Sequence, residues 1–109
     1  MALPVQITFR NFDPSLALEE HIHEKAAKLD HLAERITSCR VVLEARHRHH
    51  HKGRLFHVHI ELAIPGGEIV VNRDAHEAHE HEDIYVAIRD AFEAARRQLQ
   101  HRTHLHAAS

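Results

Sequence analysis

Hydrophobic and polar residues alternate strictly at the start of the chain. In VQITFR (5–10), Val5, Ile7 and Phe9 fall on one side and Gln6, Thr8 and Arg10 on the other. A period of two marks a half-buried strand. Asn11 to Pro14 breaks the pattern, and either Asp13 or Ser15 can accept from an orphan backbone N–H and cap a helix starting there. The period then lengthens. Leu18, Ile22, Ala26, Leu29, Ala33 and Ile36 recur at three or four residues, which predicts an amphipathic helix over 15–36. Lys25, Lys28, Leu32 and Arg35 form a neighbouring stripe.

SCRVVLEAR (38–46) returns to alternation, with Cys39, Val41, Leu43 and Ala45 inward. RLFHVHIELAI (54–64) is the clearest strand: Phe56, Val58, Ile60, Leu62 and Ile64 share one face, and Leu55, His57, His59, Glu61 and Ala63 the other. PGG (65–67) predicts a tight hairpin turn, because proline presets one dihedral and glycine supplies a positive φ. EIVVNRD (68–74) is the returning strand, and AHEAHEHED (75–83), without apolar periodicity, reads as a polar loop. A second helix over 83–102 carries Ile84, Ile88, Ala91, Phe92, Ala95 and Leu99 inward. Two amphipathic helices need a shared apolar surface. The expected fold is therefore α+β, in the order β-α-β-β-β-α, a four-stranded mostly antiparallel sheet with both helices packed on one face.

At 109 residues the chain reads as one domain over 1–109, long enough to bury about two-thirds of its unfolded surface in a single core. MALPVQITFR lacks the positive region and apolar stretch of a signal peptide, and nothing approaches eighteen consecutive apolar residues, so no membrane partner is expected. Cys39 is alone, which fits a small buried hydrophobe in a reducing cytoplasm. No nucleophile motif, glycine-rich phosphate loop or cysteine pair appears. An enzyme, a cofactor and a small-molecule substrate are not expected.

Histidine changes this ordinary picture. There are fifteen, and the formal charge of -2 counts all of them as neutral. At about pH 6 roughly eleven would be protonated, turning the net charge to about +9. The densest run, RHRHHHKG (46–53), lies between two predicted strands in mid-chain, so it is not an appended tag. His57 with His59, and HEAHEH (76–81), also bring imidazoles together, and a histidine-rich metal-binding or metal-buffering protein is the alternative reading. Against it, Arg46, Arg48, Lys52 and Arg54 interleave the run with charge that opposes a divalent cation, and no cysteine or tightly spaced carboxylate accompanies it. No metal ligands are assigned.

The same basic residues suit nucleic-acid phosphates. Arg46, Arg48 and Lys52 in the hairpin loop, Lys25 and Lys28 in the first helix, and Arg89, Arg96, Arg97, His101 and Arg102 in the second are the candidates. No RNP-like aromatic pair is present for base stacking. SLALEEHIHEKAAKLDHLAERI in the first helix, GGEIVVNR in the hairpin and EDIYVAIRDAFEAARRQLQHR in the second helix resemble the ribosome hibernation-promoting factor / ribosome-associated inhibitor A family, over nearly the whole chain. The resemblance implies a short, single-domain member that binds the small ribosomal subunit in its decoding channel and blocks mRNA and tRNA there. Lys25, Lys28, Arg96, Arg97 and Arg102 match the family's basic helix positions, while His101, His104 and His106 stand where relatives continue with lysine. The implied partner is the small subunit and its ribosomal RNA, in the cytoplasm, and no obligate homo-oligomer is expected.

Overall fold

The alternation in VQITFR builds the edge strand β1 (Val5–Arg10) in the computed structural model of the chain, which describes residues 3–32, 36–47, 54–76 and 81–108, with side chains at 3–30, 36–46, 55–74 and 84–101. α1 (Leu16–Leu32), β2 (Ser38–His47), β3 (Arg54–Ile64), β4 (Gly67–His76) and α2 (His81–Ala108) come next, in the expected order. The sheet runs β1-β2-β3-β4. β1 lies parallel to β2, with Val5 opposite Cys39 and Arg10 opposite Glu44, because α1 carries the chain back along the sheet between them. The other two pairings are antiparallel.

Both helices cover one face. Leu18, Ile22, Ala26 and Leu29 of α1 and Ile84, Ile88, Ala91, Phe92, Ala95 and Leu99 of α2 are buried against Cys39, Val41, Leu43, Ala45, Phe56, Val58, Ile60, Leu62, Ile69 and Val71 of the sheet. Phe12, just after β1, joins Phe9 to Phe56 by two edge-to-face contacts at 5.4 and 5.3 Å, closing the end of this core. Cys39 is buried, and that burial pushes its thiol up to about 12.

Element ends depart from the periodicity. Ser15, not Asp13, caps α1: its Oγ accepts from the Leu18 N–H at 3.3 Å. Ile36 is buried but lies after the helix, so its place in the apolar stripe reflects the core and not helical geometry. The polar stretch 75–83 is not all loop, and its residues 77–80 lie outside the described residues. β4 runs on through Ala75 and His76, opposite Phe56 and Leu55, since ladder hydrogen bonds do not depend on side-chain hydropathy. α2 already begins at His81 and continues to Ala108, because terminal turns that carry no core residue can still be helical. The turn between β3 and β4 is Pro65–Gly66 alone, with Ile64 paired to Gly67. Gly66 has φ 84°, as the third position of a type II turn requires. Asn11 is also left-handed, φ 65°, and its Nδ2 donates to the Ala45 carbonyl at 3.3 Å. Of the histidine run, Arg46 and His47 end β2, and 48–53 lie outside the described residues.

Candidate nucleic-acid interface

The apolar stripes that seat α1 and α2 on the sheet turn their polar positions outward, and most candidate basic residues are there. Lys25 is half-buried and Lys28 exposed on α1, the latter 3.9 Å from Glu24. On α2, Arg96 binds Glu93 through Nη2 at 2.9 Å and Nε at 3.2 Å, and reaches Gln100 at 3.2 Å. The Glu93 carboxyl is held below its usual range, first by that Arg96 hydrogen bond, with Arg97 and Lys25 adding smaller pulls. Lys25 of α1 therefore acts on the same surface as Arg96 and Arg97 of α2. These exposed pairs contribute little stability and can be exchanged for phosphate.

One groove on this side gathers positive charge. Arg73 from β4 and Ala94, Arg97, Gln98 and His101 from α2 line it, and none of these is acidic. Arg73 was not among the candidates. It holds the helix-side position after Ile69 and Val71, but lies past the apolar cover of α2 and is exposed, its Nη1 donating to the Asn72 carbonyl at 2.7 Å. The alternation of EIVVNRD was the signal that could have found it. Two guanidiniums with an imidazole and an amide form a donor-rich cleft, the chemistry that grips phosphate oxygens.

Other candidates sit elsewhere. Arg89 is exposed on α2 beside Asp90 at 3.4 Å, away from the groove lining. Arg46 projects from the sheet face opposite the helices, paired to Glu44 at 2.8 Å. That hydrogen bond is the main reason the Glu44 carboxyl lies below its ordinary range. Arg48 and Lys52 lie outside the described residues, as does the side chain of Arg102. Among the described residues, no three His, Cys, Asp or Glu side chains converge as a metal site.

A family model described as Sigma 54 modulation protein / S30EA ribosomal protein matches residues 5–105. The chain is 32% identical over 95 residues to the ribosome hibernation promotion factor of Deinococcus radiodurans, a match covering 87% of this chain and 46% of that protein, so the chain spans about half of this relative's length. It is 29% identical over 98 residues to the ribosome hibernation promoting factor of Pseudomonas putida, covering 90% and 84%. In fold it is similar to the N-terminal domain of Thermus thermophilus Protein Y, with TM-score 0.70 at 23% identity over 93% of this chain and 98% of that one. A ribosomal subunit interface protein from Coxiella burnetii matches at TM-score 0.69 and 19% identity, with the same coverage.

Proposed function

This chain belongs to the Sigma 54 modulation protein / S30EA ribosomal protein family, and from that membership we propose a ribosome-associated hibernation factor that binds the small subunit near its decoding channel and blocks mRNA and tRNA. It acts by occupancy. A rigid α/β body fills the channel, and ribosomal RNA phosphates are held by shape and charge. Residues 1–109 work as one ribosome-binding unit, in the cytoplasm where ribosomes are. The observation that carries this reading is the groove of Arg73, Arg97 and His101, with no acid in its lining, next to a helical surface bearing Lys25 and Arg96. Curated relatives named as hibernation factors support the partner.

The test is co-sedimentation with purified small and large subunits at moderate salt, beside the double variant Lys28→Glu, Arg97→Glu. Neither residue is a core position. The wild type should pellet with small subunits and compete with mRNA, while the double variant, equally folded by circular dichroism, loses most of its binding. Undiminished binding of the double variant would place the RNA contact elsewhere, and preference for the large subunit would overturn the reading.

A further inference from the structure

The sheet face away from the helices carries a chemistry the ribosome reading does not use. Alternation along β3 points His57, His59 and Glu61 to that face, and the β3–β4 register sets His57 opposite Asp74 and His59 opposite Asn72. The side chains close into a chain. His57 Nδ1 lies 2.6 Å from Asp74 Oδ1, and His57 Nε2 lies 2.9 Å from Asn72 Oδ1. The same Asn72 oxygen is 2.7 Å from His59 Nδ1, and His59 Nε2 is 2.9 Å from Glu61 Oε1. Arg40 of β2 stands 3.7 Å behind Glu61.

Proton counting makes this arrangement incomplete. A neutral imidazole has one N–H. A carboxylate can only accept, so His57 spends its hydrogen on Asp74 and His59 spends its own on Glu61. Two bare ring lone pairs and an amide oxygen then meet with no hydrogen between them. A reversed Asn72 amide or two extra protons would satisfy that meeting, and so would a metal ion. Separations of 2.7 to 2.9 Å suit hydrogen bonds, and they also suit ligands that share an ion. Donors about 2.1 Å from an ion and at right angles to one another are about 3.0 Å apart, whereas a tetrahedral pair is about 3.4 Å apart. The two separations across the shared oxygen, 2.9 and 2.7 Å, are those of neighbouring corners of a square.

We propose that His57 Nε2, His59 Nδ1 and Asn72 Oδ1 form a binding site for a divalent ion that prefers tetragonal nitrogen and oxygen ligands, Cu2+ or Ni2+, with water completing its shell. Asp74 and Glu61 take the role of the carboxylates that orient metal-binding histidines through the far ring nitrogen. Side-chain exposures of 18% for His57 and 26% for His59 leave the rings open to an entering ion yet fixed by the sheet. Glu61 and Asp74 stand directly beside the two rings, with Arg40 behind Glu61 and with Glu44 paired to Arg46. With two histidines and one amide, the site is a reversible binder and not a closed structural centre.

The experiment is Cu2+ titration of the untagged full chain in which His47, His49, His50 and His51 are changed to Gln, followed by equilibrium competition and electron paramagnetic resonance. The expected result is one tight equivalent whose spectrum is tetragonal with two imidazole nitrogens. His57→Gln or His59→Gln should each weaken it by more than tenfold, and Glu61→Gln by roughly tenfold. Asn72→Leu should also weaken it, while Asn72→Asp, which puts an anionic oxygen at the same corner, should tighten it. All these residues lie on the solvent side of the sheet, and unchanged melting curves of the metal-free variants confirm that the fold is intact. Loss of the tight equivalent in the loop variant would assign binding to the run 46–53 and overturn the proposal. So would affinity or nitrogen count unaffected by His57→Gln and His59→Gln.

Discussion

His21 sits where α1 meets α2, its ring edge-to-face with Tyr85 at 4.9 Å and 72°. Its Nε2 is buried with no hydrogen-bond partner among the described residues. Burial lowers its proton affinity, and the Lys25 charge lowers it further; Lys28 adds a smaller push, while a Tyr85 backbone contact and the Glu24 charge pull the other way. The protonated ring is thus favoured more by the unfolded chain than by the fold. Stability from this site is present above the ordinary histidine range and is lost as pH falls through the lowered folded value. His21→Phe keeps the aromatic contact and removes the orphan nitrogen. It should raise stability by about 1 kcal/mol near neutral pH, with a gap over the wild type that widens between pH 7 and pH 5. Denaturant melts at several pH values measure this. The remaining histidines are common to both proteins, so a gap independent of pH would contradict the role assigned to His21.

At the scale of elements, the helix cap and the hairpin turn decide where periodicity stops. Ser15→Ala removes the side-chain acceptor of the Leu18 N–H and should cost about 1 kcal/mol, while Ser15→Asp, which also accepts there, should retain most of it. Urea midpoints with an unchanged slope would show that only the helix start has changed; equal midpoints for Ala and Asp would mean the cap does not matter. Sequence offered Asp13 and Ser15 as equal cap candidates, and the chain's path after the left-handed Asn11 selected Ser15. Amphipathic stripes were legible because both helices bury one continuous face each. The extents of β4 and α2 were not, because His76 and the His81–Asp83 turn are held by backbone hydrogen bonds, which leave no trace in hydropathy.

Over the whole molecule, function depends on which charges share a surface. Lys28, Arg96 and Arg97 were recognisable as outward helix positions, but Arg73 joins Arg97 and His101 only through the packing of β4 beside α2. Arg73→Gln should therefore weaken small-subunit binding and reduce the slope of log affinity against log salt by about 0.7 to 0.9, the contribution of one released counterion. A slope identical to the wild type would remove Arg73 from the interface. His101→Gln, at the same groove, should also weaken small-subunit binding. Unchanged affinity would mean that His101 is not at the phosphates.

Sequence alone determined the element order, the two apolar helix faces and the side of the sheet on which each β3 residue lies, because each derives from a period of two or of three to four. Only the tertiary structure decided the register. Taking PGG as a three-residue turn would set Ile64 against Glu68 and Ile60 against Asn72. The observed two-residue turn at Pro65–Gly66 instead sets Ile60 against Val71 and Leu62 against Ile69, all four buried. A slip of one residue turns every side chain of a strand to the opposite face, and burying Ile69 and Val71 under α2 settles the choice. The same count sets Asn72 opposite His59 and Asp74 opposite His57. Burial of two hydrophobic residues thus fixed the cross-strand partners of polar residues whose faces, but not whose partners, alternation shows.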